Sequence, residues 1–427
     1  MEIGERIRQI RIHKGFTQTE LVKGICSTTY ISKIESGKTK PSYSFLVKVA
    51  RALEVDFEFL MNTNVKNIEY DIHRIYELFM ETKQITSQNL ALLKLHAREN
   101  HPNSTLIKIY SVLISYYLNH EIEETHQLVE QSKNIISSNY SSSENEISYY
   151  FDILSKYYYF TNKYTEAFLY ANLHLNSLQG DEPPLRIGKA YYNISLIRTK
   201  IDEDLELARL YNKKALNLFQ TEHYNIGIGN ALSQLAIQYH RNELYEEALD
   251  ILQQLDTFSK KHNLNYYEPI IQFNYGRIHQ LQKQYDQAIM YFTESIEMDT
   301  NSGNEELTIH ALKCLSEVYI ELKNWEEANQ YLEKAFRLTH AYNVPNEYIQ
   351  LNYLKCQIYK IRFDFPSYEK GLQQAIQLAQ DGKYPLLVKQ ISTELANHYN
   401  SLRAYKMAAK YYRIALNISE DFKKTTY

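Results

Sequence analysis

Twelve glycines and eight prolines are few for 427 residues. These residues punctuate helices most strongly. No stretch alternates Val, Ile and Thr with polar residues, so a sheet protein is excluded and the chain reads as almost wholly helical. Its three cysteines, Cys26, Cys314 and Cys356, lie far apart without a CxxC pair. That excludes a disulfide framework or a cysteine zinc site and implies reduced core thiols in a cytoplasmic protein. No run approaches the roughly 18 apolar residues that a membrane span needs. The start is an amphipathic, Arg-bearing segment rather than a signal sequence. GxGxxG, GxxxxGK[ST], HExxH and GxSxG are absent, and Gly227-Ile228-Gly229 is too short to cradle a phosphate. The fourteen histidines are scattered. Neither enzyme activity, a cofactor nor a metal site is expected.

What is present is a period. Ala208, Ala248, Ala288, Ala328 and Ala408 stand on a 40-residue ladder. Three residues before each rung come Leu205, Tyr245, Tyr285, Trp325, Phe365 and Tyr405. Small residues recur at Ala236, Gly276, Ser316, Cys356 and Ala396, and Tyr211, Tyr291, Tyr331 and Tyr411 follow the alanines by three. A fixed period of this size signals stacked helix pairs, each burying its apolar face on the next. An aromatic wedge opens the second helix of each pair and the alanine lets the two helices approach. Tyr164 to Ala167 mark an earlier unit offset by one residue, an offset that the Pro183-Pro184 loop is placed to absorb. Tyr368 replaces the expected alanine, so that unit is expected to splay.

Residues 1–60 lack the period. They hold ten Lys/Arg against seven Asp/Glu, in a chain whose net charge is −4, so a basic head sits on an acidic body and nucleic-acid contact belongs to the head. Ile3, Ile7 and Ile10 line one face of a first helix with Arg6, Arg8 and Arg11 around them. Gly15 ends it. Thr17-Gln18-Thr19-Glu20 is a capping box for a second helix. Gly24 breaks that helix, and Ser27 caps a third that buries Ile31 and Ile34 and stops at Gly37. Pro41-Ser42 starts a fourth helix, with Phe45, Leu46, Val49 and Leu53 inward, and Asp56 a short fifth. Two short helices across a tight turn, the second with small polar residues at its start, form a helix-turn-helix.

On that geometry the third helix offers Ser27, Thr28, Thr29, Tyr30, Ser32 and Lys33 to base edges, while Gln18, Lys38 and Lys40 flank it for phosphates. In the repeats, the first helix of each pair carries the polar columns. These run Asn193, Ser233, Phe273, Lys313 and Tyr353; Arg277, Glu317, Gln357 and Asn397; and Asn230, His310, Gln350 and Gln390. Asn and Gln suit the main chain of an extended peptide, and Arg277 and Lys313 suit a carboxylate. The candidate peptide contacts are Asn193, Asn230, Ser233, Arg277, Lys313, Gln350, Tyr353, Gln357 and Asn397.

Thr17-Gln18-x-Glu20-Leu21, followed by Ile31-Ser32-Lys33-x-Glu35-x-Gly37-x-x-x-Pro41, resembles the lambda-repressor or Xre type of DNA-binding domain. The ladder is similar to tetratricopeptide repeats, with a period of 40 rather than about 34. The combination resembles the RRNPP-type peptide-pheromone receptors of Gram-positive bacteria, in particular their neutral-protease-regulator branch. The resemblance implies an all-α fold: a five-helix head over 1–62, a linker over 63–70, and a right-handed solenoid of about nine helix pairs over 71–427. It implies a quorum-sensing transcription regulator whose partners are double-stranded DNA, a short re-imported signalling peptide and a second copy of the chain, as a homodimer or higher oligomer. Two other readings stay open. One is an inhibitor or phosphatase of a sporulation phosphorelay response regulator, docked on residues 68–137; the other is a phage lysis–lysogeny peptide receptor.

Overall fold

The computed structural model describes residues 3–55, 57, 60, 65–99, 101–136, 144–178, 182–202, 204–299, 305–342, 344–382 and 384–424. The expected fifth helix from Asp56 falls largely outside them. Among the described residues the chain is helical and holds no strand. It divides into two compact units, Met1–Leu154 and Ser155–Tyr427.

The first unit opens with α1 (Ile3–His13), α2 (Gln18–Leu21), α3 (Thr28–Glu35) and α4 (Tyr43–Ala52). Local chemistry sets these boundaries. Thr17 and Glu20 close the capping box reciprocally, Ser27 accepts from the Tyr30 amide and Ser42 from the Phe45 amide. Gly15, Gly24 and Gly37 take the left-handed backbone that ends a helix without a Cβ clash. Ile7, Ile10, Leu21, Val22, Ile31, Ile34, Phe45, Leu46, Val49 and Leu53 form one core, as the periodicity predicts. Leu95 completes that core from a later helix, so the head does not close on itself before residue 62. Residues 65–70, expected as linker, already belong to helix α5 (Val65–Thr82). The unit continues with α6 (Ser87–His96), α7 (Asn103–Leu118), α8 (Ile122–Ile136) and most of α9 (Glu144–Phe160).

The second unit stacks helix pairs. After α10 (Tyr164–Ser177) come α11 (Pro184–Ile201) with α12 (Glu206–Thr221), α13 (Asn225–Arg241) with α14 (Tyr245–His262), and α15 (Glu268–Leu281) with α16 (Tyr285–Asp299). Then follow α17 (Glu305–Glu321) with α18 (Trp325–Tyr342), α19 (Pro345–Ile361) with α20 (Phe365–Asp381), and α21 (Pro385–Ser401) with α22 (Tyr405–Lys424). Counted from α5, the described helices make nine pairs. First helices of successive pairs, α11, α13, α15, α17 and α19, also touch one another and form one continuous layer.

The ladder alanines 208, 248, 288 and 328 are wholly buried. Ser155, Ser195 and Ser316 each donate a side-chain hydrogen bond to the carbonyl of the ladder alanine in their own pair, at 2.9 Å. Ser155 and Ser195 are 40 residues apart, whereas their alanines, 167 and 208, are 41 apart. The one-residue offset therefore enters between Ser195 and Ala208, not at Pro183-Pro184. Turns within pairs place a left-handed, non-glycine residue at Glu243, Lys283, Lys323, Phe363 and Arg403, again at 40-residue spacing.

At the odd unit, Tyr368 is fully buried. Three residues on, where other units carry tyrosine, stands Gly371, whose added Cβ would lie 2.6 Å from the Cys356 sulfur. Ring and small residue have exchanged places one turn apart, so volume is conserved and no splaying is required.

Candidate functional site

The head presents one polar face. Thr28, Thr29, Ser32 and Lys33 are exposed on α3, while Ile31, Ile34 and Glu35 are buried on its other side. Ser27 is exposed and serves as the cap; Lys38 and Lys40 are exposed in the following loop. Two predicted contacts have other duties. Tyr30 is half-buried and meets the Phe45 ring edge-on at 5.3 Å. Gln18 donates one side-chain N–H to Glu35 Oε2 at 2.7 Å, leaving the other N–H as its donor toward solvent or phosphate.

A buried ion pair sets the orientation of α3. Arg11 grips Glu35 with Nε to Oε1 at 2.7 Å and Nη2 to Oε2 at 2.9 Å, and its Nη1 reaches the Phe16 carbonyl at 2.8 Å. Those bonds to Glu35 raise the Arg11 guanidinium above its ordinary value. The helix-face pattern put Arg6 and Arg11 around the rim of α1; both are buried, Arg6 to 2% exposure and Arg11 to 8%. Gly4 explains the fit: an added Cβ would stand 1.8 Å from the Ile34 carbonyl oxygen, so α1 rides directly on the backbone of α3.

In the second unit the predicted peptide contacts lie on the layer of first helices, and most are already tied to the next repeat. Arg277 reaches Glu317 at 3.3 Å and donates to Gln280 at 2.7 Å, so its positive charge is offset within the layer. Lys313 donates to Gln350 at 2.7 Å. Tyr353 and Gln357 both donate to Glu394, the latter at 3.0 Å. Asn230 accepts from Tyr267 at 2.8 Å. Asn397 is exposed and accepts from Tyr412 at 2.5 Å. Asn193 and Ser233 are half-buried in the same layer.

The spacing alone missed Glu394, Lys200, Arg241, Glu306 and Glu347. Glu394 also receives Tyr368 at 2.8 Å and Lys360 at 3.0 Å. Burial works against its charge, but these four donors pull its carboxyl below the ordinary value. Lys200 is lowered by enclosure among the helices, although its surface meets water, and then by Arg241; Glu306 and Glu347, from repeats farther along, oppose the shift. Glu306 in turn is lowered by its bond from His310 and by Lys200. First helices of separated repeats thus share one electrostatic environment. His240 is driven down to about 4 by burial, with Arg277 and Arg241 adding to the effect, so it is neutral near pH 7. Burial pushes the Cys314 and Cys356 thiols up to about 11 and about 12, which leaves both inert. No described helix is long and apolar enough to cross a membrane.

Known proteins match both parts. A helix-turn-helix family model matches residues 7–60 and a tetratricopeptide-repeat model residues 267–339. The HTH-type transcriptional regulator SinR of Bacillus licheniformis is 41% identical over 71 residues, and that of Bacillus subtilis (strain 168) 39%. Those matches cover 16% of this chain and 63% of either relative. Among solved structures, a Rap protein complexed with Competence and Sporulation Factor superposes with TM-score 0.59 at 13% identity, over 84% of this chain and 99% of that one. NprR in complex with its cognate peptide NprX gives 0.57 at 18% identity, over 83% and 99%. The apo quorum sensor NprR from B. thuringiensis gives 0.53 at 19% identity, over 83% and 98%. At such identities the likeness is one of fold. The chain thus carries a helix-turn-helix region and tetratricopeptide repeats on one polypeptide, with the helical-repeat fold of these solved structures.

Proposed function

We propose that the chain is a cytoplasmic quorum-sensing transcription regulator. It binds a short re-imported signalling peptide along the first-helix layer of its repeats and controls DNA binding through its head. One observation carries the reading: two unlike surfaces stand on a single chain. The first is the exposed Thr28, Thr29, Ser32 and Lys33 face, held in register by the Arg11–Glu35 pair. The second is a layer of amide, hydroxyl and charged groups running through successive repeats. Such a layer can exchange its inter-repeat hydrogen bonds for those of an extended peptide main chain at small net cost.

A peptide spanning several repeats shifts the population toward the curvature that it binds better. A single head supplies limited contact area, so specific binding uses a homodimer or higher oligomer on paired half-sites. The test is operator binding and mass in solution, each with and without the peptide. A change in either supports the reading; identical values in both refute it. Co-purification with phosphorelay response regulators in the absence of peptide distinguishes the alternative in which residues 68–137 dock such a partner.

A further inference from the structure

At the end of α6 a short turn brings together three groups that the sequence scan left apart. His96 is fully buried, His101 has a side-chain exposure of 4% and Glu99 of 23%. His96 Nδ1, Glu99 Oε2 and His101 Nε2 converge: His101 Nε2 is 3.3 Å from His96 Nδ1 and 3.4 Å from Glu99 Oε2, and the remaining pair is 2.5 Å apart. We propose that His96, Glu99 and His101 form a site for a divalent transition-metal ion of the zinc type.

The dimensions suit such an ion. Bonds of about 2.0–2.2 Å in a tetrahedral arrangement separate neighbouring ligand atoms by roughly 3.3–3.5 Å. Two of the three observed separations already lie there, and the third opens by rotating the carboxylate of Glu99, the most accessible of the three. Two imidazoles and one carboxylate are the donor set of open-sided zinc sites, with the fourth position left to water.

Tyr110 donates to the Ala97 carbonyl at 2.9 Å and pins the turn. The Arg6 guanidinium on α1 senses the same Glu99.

The experiment is titration of the full, chelator-treated chain with Co²⁺, read by visible absorption, followed by displacement with Zn²⁺. The expected result is a saturable tetrahedral spectrum at one ion per chain that Zn²⁺ removes. His101→Ala and Glu99→Gln should each weaken it by about tenfold or more, while Glu306→Gln, in the other His–carboxylate cluster with His310 and Glu347, leaves it unchanged. Glu99→Gln preserves size and hydrogen bonding, so its reading stands if His101→Ala fails to fold. No saturable site in the wild-type chain overturns the assignment, as does binding that survives Glu99→Gln or that disappears with Glu306→Gln.

Discussion

Replacing Glu35 by Ala isolates the device that holds the recognition helix. The Arg11 side chain is 10% exposed and that of Glu35 3%, so the pair is out of water. The substitution removes the acceptor of three bonds: two from Arg11, at 2.7 and 2.9 Å, and one from Gln18, at 2.7 Å. It also strands a guanidinium that cannot shed its proton. Breaking a buried pair from one side costs about 3–5 kcal/mol. At about 1.4 kcal/mol per factor of ten, that is a rise of roughly a hundred- to several-thousand-fold in local opening.

The sole tryptophan, Trp325, lies in the other unit and is blind to this change. Amide hydrogen exchange of α1 and α3, followed by mass spectrometry, reads it directly. Removing both partners with Arg11→Met and Glu35→Leu should return most of the protection, since an apolar pair of similar volume leaves no charge stranded. Exchange in Glu35→Ala within tenfold of wild type, or a double variant no better than the single, would refute the reasoning.

Gly4→Ala should be as damaging at the same seam: the clash with Ile34 is against backbone, so overpacking of about 2 kcal/mol or more is expected, seen as lost operator binding together with faster exchange in α1. Thr29→Ala and Lys33→Ala should each weaken specific DNA binding by about 1 kcal/mol or more, with sequence preference more relaxed in Thr29→Ala; anisotropy titrations on operator and unrelated DNA separate the two, and unchanged operator affinity in both variants contradicts the recognition-helix assignment. The Glu394 carboxyl lies lower in the folded chain than its ordinary value. Its stabilisation is therefore complete above the carboxylate range, near about pH 4.3, and is lost as pH falls through the folded value. Thermal melting of wild type should weaken as pH falls below about 4.3 more steeply than that of Glu394→Gln, and parallel curves would dismiss the hub.

The repeat architecture was legible because a 40-residue spacing of alanines and aromatics is a linear signal; the ladder alanines are buried, whereas the expected wedges Phe365 and Tyr405, near the far end of the array, are exposed. Caps were legible for the same reason: Thr17 with Glu20, Ser27 and Ser42 act within three residues of themselves. What escaped depends on partners far away in sequence. Periodicity marked Ile3, Ile7 and Ile10 as the inward face of α1, but α1 packs on both α3 and α6, so Arg6 and Arg11 are enclosed as well. The shared core through Leu95 was hidden because that helix carries almost unbroken apolar character from Ala91 to Leu95. The exchange of Tyr368 with Gly371 interrupts the alanine column alone, and the compensation lies in a second column three residues away. The turns were hidden too, since glycine is the usual signal for a left-handed residue, and here lysine, glutamate, phenylalanine and arginine fill that conformation. The polar columns lie on the first helices of the pairs, as their register implies, yet their mutual bonding, Arg277 to Glu317 and Lys313 to Gln350, joins residues 40 and 37 positions apart.

The most direct test of the central claim is the operator affinity of the full chain, measured by fluorescence anisotropy with and without a short peptide retained on it from culture medium. A peptide-dependent change of about 5- to 150-fold is predicted, the range of ordinary coupling energies, and it should shrink when Lys313 or Tyr353 is replaced by Ala. Equal affinities with the peptide bound and absent would contradict the account.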